Sequence, residues 1–294
     1  MGFSDYLLYR VAKHWPSPME QFNKEHNVET GTDAHDMAYA QSQFDRKVKQ
    51  GLGGTVLGKE VLEIGTGHGG IACYMATVGA KRVVAIDLNT KNLQIGRRFA
   101  KQLETELDAT APLRVEFLEM SADRMTFPDA QFDLVLADNV FEHFTDPGAV
   151  MREAYRVLRP GGGLLVPVFS SIYSKYGLHL KNGLKLPWAN LLFSERTIVR
   201  AMHRMAADNP VLLEVYPGLA NNPQRVRDLR RYGDLNDITY REFKAMANRI
   251  GFQVSSFKPN TTRLGRVLTL LPLVKSSIVT DILSVGAAAY LKKK

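Results

Sequence analysis

Val61-Leu62-Glu63-Ile64-Gly65-Thr66-Gly67-His68-Gly69-Gly70 is the stretch that decides how this chain is read. Val61, Leu62 and Ile64 suit a buried parallel strand, with Glu63 at or near its carboxyl end. The glycines turn the chain sharply and let a ligand approach the backbone closely. Residues 71–77 read as a helix opening directly from that turn. Strand, turn and helix N-terminus together make a nucleotide site at the carboxyl edge of an α/β sheet. A dinucleotide-binding turn looks much the same, so the glycines alone leave the nucleotide open.

The segments that follow narrow the choice. Arg82-Val83-Val84-Ala85-Ile86-Asp87 is a second strand ending in a carboxylate, about 20 residues past the turn, where a ribose-binding acid belongs. Then come Ser121-Ala122-Asp123, the strand Phe132-Asp133-Leu134-Val135-Leu136-Ala137, and Val140-Phe141-Glu142-His143. A helix-like run over residues 150–158 and Arg159-Pro160-Gly161-Gly162-Gly163 complete the series. In this order the segments resemble a class I S-adenosylmethionine-dependent methyltransferase, of the group that includes ubiquinone-biosynthesis and polysaccharide O-methyltransferases. The resemblance is good over residues 59–169, weaker toward the C-terminus and weakest before residue 57.

The resemblance implies a doubly wound, mostly parallel, seven-stranded α/β sheet of the Rossmann-like methyltransferase type. It implies S-adenosyl-L-methionine as cofactor and S-adenosyl-L-homocysteine as its product. By resemblance Gly65, Thr66, Gly67 and Gly69 lie against the amino-acid end and ribose, and Glu63 fixes the same region. Asp87 would accept from both ribose hydroxyls, as a carboxylate can, with Leu88 beside it. Its competing reading is a cap for the helix that starts near residue 90. Asp123 matches the position that accepts from the adenine amino group, and Ala122 adds a backbone contact. Asp138 and Asn139 sit just past the fourth strand, where cofactor and acceptor meet.

A hydroxyl acceptor calls for a base near the working pH, which histidine supplies. His143, in the Glu142-His143 pair, and His179, in Gly177-Leu178-His179, are the candidates; transfer by proximity without a dedicated base is the third option. His68, inside the glycine turn, occupies a variable position and is read as unremarkable. No histidine–carboxylate group has ligand-like spacing along the chain, so no metal site is expected.

Outside the core the sequence predicts a helical extension over residues 1–57, the cofactor-binding core over 58–172, a cap after the fifth strand over 173–240, and completion of the sheet over 241–294. Residues 6–15 and 32–50 read as helices, joined to the core by a flexible glycine-rich joint over 51–58. Tyr39 and Arg46 of the second helix are conceivable cofactor or acceptor contacts, although a solvated helix face is the plainer reading. Gly161-Gly162-Gly163 is expected to stop the helix that Asp146-Pro147 starts. Thr239 and Glu242 form a capping box ahead of a helix that Gly251 ends. Residues 252–257 alternate like a strand, and residues 281–291 supply the last, antiparallel strand. The apolar and basic residues 264–277 fit either a membrane-surface helix, with the lysine tail 292–294, or an ordinary packing helix; the second is favoured.

Composition sets bounds. The chain has 294 residues, 45% apolar and 23% charged, ordinary for a globular protein. A net charge of +8 points to anionic partners or only to a self-repelling surface. The single cysteine, Cys73, cannot pair within the chain, which fits a reducing cytoplasm. Residues 1–16 do not read as a secretory signal. The function expected is methylation, chiefly O-methylation, of a small-molecule acceptor, which the basic charge allows to be anionic: a sugar or glycan precursor, a quinone or lipid precursor, or a secondary metabolite. RNA methylation is the alternative the charge suggests, but Asp138-Asn139-Val140-Phe141 lacks the Asn/Asp-Pro-Pro-aromatic run linked to base methylation. A non-catalytic scaffold of the same fold is the other alternative.

Overall fold

A computed structural model describes residues 3–13, 18–29, 32–50, 53–107, 111–180, 184, 186–210, 212–213, 216, 235–261 and 278–294. Part of the expected cap, residues 217–234, and the segment 264–277, read as a surface or packing helix, lie outside the described residues.

Seven strands alternate with helices: β1 (Glu60–Ile64), β2 (Arg82–Asp87), β3 (Val115–Glu119), β4 (Phe132–Leu136), β5 (Leu158–Phe169), β6 (Phe252–Thr261) and β7 (Ser284–Lys293). They form one sheet in the order β3-β2-β1-β4-β5-β7-β6. The first five strands pair in parallel, and β7 runs antiparallel between β5 and β6. Pro259 is accommodated because β6 is an edge strand, where a missing N–H breaks no ladder on the open side.

The alternation of side chains along each strand feeds two cores. Val61, Val83, Ala85, Leu134 and Leu136 face α5 (Gly70–Thr77) and α6 (Thr90–Glu106). Leu62, Ile64, Val84, Ile86, Val135 and Ala137 face α7 (Pro147–Val157) and α10 (Tyr240–Ile250). A sheet covered on both faces calls for near-continuous apolar strands, which the central residues of β1, β2 and β4 supply apart from Glu63. Cys73 sits in α5, fully buried. Burial pushes its thiol pKa up, away from the reactive thiolate. A thiol reagent at neutral pH is therefore expected to leave the native protein unlabelled and to label it once in denaturant; native labelling would show that α5 opens.

Helix ends follow the sequence closely. The Asp146 carboxylate accepts from Ala149 N–H at 2.9 Å with Pro147 at the first helical position. The Thr239 hydroxyl and Glu242 carboxylate cap α10 reciprocally, and Gly251 ends it at φ 114°. Thr239→Ala is expected to cost about 1 kcal/mol in denaturant unfolding. Hydrogen bonds from the Thr239 backbone N–H and hydroxyl hold the Glu242 pKa below its ordinary value of 4.5. A group depressed on folding stabilises above its unfolded pKa, so this contribution is complete above about pH 4.5 and fades as pH falls through the lower folded value.

Three expectations need correction. Gly161-Gly162-Gly163 does not stop α7, which ends at Val157 because Leu158, fully buried, already pairs with Phe132 in the sheet. The glycines fall in the irregularity before Leu134 pairs with Gly163, and a Cβ on Gly162 would lie 2.9 Å from the Asp133 carbonyl oxygen. The last strand does not begin at Asp281. That residue lies in the short α11 (Ile278–Ile282), where its buried carboxylate accepts from Tyr240 N–H at 3.0 Å. The joint at 51–58 is not loose over its described part: α4 (Gly53–Val56) is helical, and Val56 is buried against α5.

The N-terminal helices go to two places. α1 (Phe3–Lys13) packs on α9 (Glu195–Asp208), beyond β5, with Leu8 and Ala12 among Ile198, Met202 and Ala206. Tyr9 donates to the Asp208 carboxylate and lies under the Arg204 guanidinium. α3 (Asp33–Gln50), preceded by α2 (Pro18–His26), lies across the start of α5. Gly70 permits this: a Cβ there would come within 2.1 Å of the Ala40 carbonyl oxygen.

Candidate active site

The site begins at the carboxyl edge of β1. Glu63 is buried and accepts from the Thr66 hydroxyl at 2.7 Å, which ties the strand end to the turn. Gly65, at φ 67°, lies against Val140, and a Cβ would meet Val140 Cγ2 at 2.5 Å. Gly67 donates its N–H to Asp87 Oδ2 at 2.9 Å. Gly69, at φ 77°, precedes α5 and sits against Gly96 and Phe117.

Asp87 stands at the end of β2. Its Oδ1 accepts from Asn89 N–H at 2.8 Å, so both oxygens are held by backbone donors while each keeps a second lone pair for a ligand. The cap of α6 is Asn89, which accepts from Lys91 and Asn92 N–H. That removes the competing cap reading of Asp87. Asp123 is exposed and accepts from the Ser121 hydroxyl at 2.6 Å, beside half-buried Ala122. Arg156 of α7 fastens the loop that follows by donating to the Met125 and Phe127 carbonyls and to Glu153 and Asp129.

A crevice of about 240 Å³ opens among these groups. Gly65, Asp87, Leu88, Ala122, Asp123 and His143 line it. Glu63, Thr66, Gly67 and Gly69 support it from the turn rather than lining it. Asp138 and Asn139 are not on its wall either. Asn139 adopts φ 55° and donates its N–H to the Val168 carbonyl at 2.8 Å, while the buried Asp138 carboxylate meets Arg46 at 2.8 Å.

Arg46 and Tyr39 therefore do more than face solvent. Arg46 reaches Asp138 from α3, and the Tyr39 ring packs against His35 and edge-on to His68. His68 is likewise tied in: its Nε2 lies 3.4 Å from Asp36 Oδ1, which also approaches His35. Burial lowers the His68 pKa, opposed by the Asp36 carboxylate. Asp36 and His35 were invisible to sequence reasoning because nothing local announces that α3 lies over the glycine turn.

The two histidines come together. Their rings are 5.1 Å apart, and His179 Nε2 lies 3.4 Å from Glu142 Oε1. The ligand atoms of Glu142, His143 and His179 all lie within 4.8 Å of one another. Linear spacing could not reveal this grouping, because His179 is remote along the chain from Glu142 and His143. Asn236 secures the turn carrying Glu142 and His143 by donating to the Phe141 and Phe144 carbonyls, and its N–H goes to the Glu142 carbonyl.

The reversed last strand and the parallel strands before it make a Rossmann-like methyltransferase fold. Residues 62–166 match the methyltransferase domain family. The chain is 33% identical over 133 residues to a ubiquinone/menaquinone biosynthesis C-methyltransferase of Vibrio vulnificus, covering 42% of this chain and 49% of that one. It is 36% identical over 121 residues to a 27-O-demethylrifamycin SV methyltransferase of Amycolatopsis mediterranei, covering 41% and 42%. The chain thus spans about half the length of the curated relatives it matches. A solved S-adenosylmethionine-dependent methyltransferase from Mesorhizobium loti shares the fold at TM-score 0.50 and 13% identity, over 81% of this chain and 92% of that one. No described helix is long and apolar enough to cross a membrane.

The residues fit the cofactor of this class. A Cβ on Gly65 would push into Val140, a wall of the crevice, so the glycine keeps the cradle open. Asp87 offers paired acceptors at its inner edge, and Leu88, 70% exposed, offers an apolar face to a base.

Proposed function

We propose that the protein is an S-adenosylmethionine-dependent methyltransferase that methylates a hydroxyl oxygen of a small-molecule acceptor. The names of the two relatives show that this domain serves both a C-methyltransferase and a methyltransferase acting on an O-demethyl compound, so the domain alone does not choose the acceptor atom. The observation that carries the hydroxyl reading is His143 on the crevice wall, backed by His179 and Glu142.

Asp87 would take the ribose hydroxyls, Asp123 and Ala122 the adenine edge, and Leu88 the base face. Gly65, Gly67 and Gly69 would lie along the methionine end. Arg46, which now meets Asp138, is placed to exchange that partner for the cofactor's carboxylate. When bound, the cofactor supplies a sulfonium methyl: the acceptor oxygen bonds to its carbon, the C–S pair returns to sulfur, and the hydroxyl proton leaves. The chain's own part is to align the two molecules and receive that proton. His143, on the crevice wall, would receive it, with His179 and Glu142 beside it. The acceptor classes in view are a sugar or glycan precursor, a quinone or lipid precursor, and a secondary metabolite.

Calorimetric titration with S-adenosylhomocysteine tests this reading directly. Binding that is lost in Asp123→Ala and retained in His143→Ala supports it. A folded sample that takes up no ligand at millimolar concentration overturns it and moves the scaffold alternative first.

A further inference from the structure

We propose that Glu142, His143 and His179 form a site for a divalent transition-metal ion of the zinc class, with an open coordination position toward the crevice. Two imidazoles and one carboxylate are the donor set of open catalytic zinc sites, which leave the fourth position to water or substrate. Metal–ligand bonds of about 2.0–2.1 Å at a tetrahedral angle place two ligand atoms about 3.3 Å apart. His179 Nε2 and Glu142 Oε1 are 3.4 Å apart, so that edge is already at coordinating length. The other ligand atoms lie within 4.8 Å, so side-chain rotation would have to bring them to coordinating length.

The surroundings favour a cation. The Glu142 side chain is 1% exposed, so its attraction for a cation is little screened by water. The ligands are held on supported backbone. Asn236 pins the Glu142–His143 turn through three hydrogen bonds. The Tyr216 hydroxyl donates to the His179 carbonyl at 2.8 Å. His179 itself adopts φ 53°, a strained conformation for a residue with a Cβ. Such strain persists where the surroundings over-determine it, and it clusters at functional sites.

The placement has a chemical consequence. His143 belongs both to this group and to the crevice wall, so an ion here borders the acceptor's space. An acceptor hydroxyl in the open position would release its proton to solvent at lower pH than when free, as metal-bound water does. In the ion-loaded protein the imidazoles act as ligands and the ion acidifies the hydroxyl; in the ion-free protein His143 takes the proton. The acceptor part rests on the methyltransferase reading, but ion binding does not.

The test is spectroscopic and needs no acceptor. Protein freed of metal by chelation is titrated with Co²⁺ and its visible absorption followed, with Zn²⁺ calorimetry in parallel. Saturable bands of four- or five-coordinate intensity, displaced by Zn²⁺, are expected. Loss of a second-shell partner costs about 10–100-fold in metal affinity, so loss of a ligand in His143→Ala or His179→Ala should cost at least about 100-fold. If His179→Ala does not fold, the near-isosteric Glu142→Gln gives the same reading. His68→Ala, which removes one histidine from the Asp36–His35–His68 cluster, should leave the bands intact; their loss in that variant and survival in His179→Ala overturns the assignment. Absence of Co²⁺ bands from protein that still binds S-adenosylhomocysteine overturns the ion alone. Bands in protein that binds no S-adenosylhomocysteine keep the ion and overturn the methyltransferase reading.

Discussion

Asp87→Ala is expected to weaken S-adenosylhomocysteine binding about 100-fold or more, with most of the loss coming from the ribose. Hydrogen bonds to a charged group contribute about 1.5–3 kcal/mol each, and two of them would disappear. The substitution also releases the Gly67 and Asn89 N–H groups that Asp87 now accepts from, so the turn loses part of its support. Thermal unfolding separates the two effects: a modest fall in melting temperature should accompany the large loss of affinity. Asp87→Asn keeps one acceptor oxygen and should fall between the variant and the native protein. Unchanged affinity in a folded Asp87→Ala protein would remove the ribose role.

Gly69→Ala is expected to destabilise the protein by about 2–5 kcal/mol, from two separable causes. The left-handed conformation costs a residue with a Cβ roughly 1–2 kcal/mol, and Gly69 sits at φ 77°. The added carbon would also stand 2.7 Å from both Gly96 Cα and Phe117 Cε1, a crowding that typically costs about 1–3 kcal/mol. Phe117 is buried at 5% exposure and has little room to yield. Gly161→Ala is the control, with a similar φ of 79° and nothing within 4 Å of the added carbon. It should show the backbone cost alone. Equal losses in the two variants, measured by denaturant unfolding, would mean that the close packing of turn, α6 and β3 does not matter.

These two residues also show what could be read beforehand. The glycine spacing and the acid at the end of β2 are local: strand, turn and helix follow in one short run, and the chemistry of each position depends on its neighbours in sequence. The same holds for the Thr239–Glu242 capping box and for the Asp146-Pro147 helix start. Gly161-Gly162-Gly163 was misread for an equally physical reason. A glycine triplet after a helix looks like a stop, but Leu158 finds a partner in β4 first, and pairing in the sheet overrides local preference. Asp281 was misread similarly, because its role is to cap a helix some forty residues away in sequence.

By itself the sequence determined the order of strands and helices in the core and, through resemblance, the type of fold; it also named Gly65, Asp87, Leu88, Ala122, Asp123 and His143, which line the crevice. It could do so because burial on both faces of a parallel sheet and the steric demands of a tight turn are imposed on neighbouring residues. Only the tertiary structure decided that α3 lies over the turn, linking Arg46 to Asp138 and His68 to Asp36. Only it brought His179 to Glu142 and His143. Those contacts join segments far apart in sequence, and they form because apolar faces must be covered by whatever the chain can bring to them. No local pattern records which segment that will be.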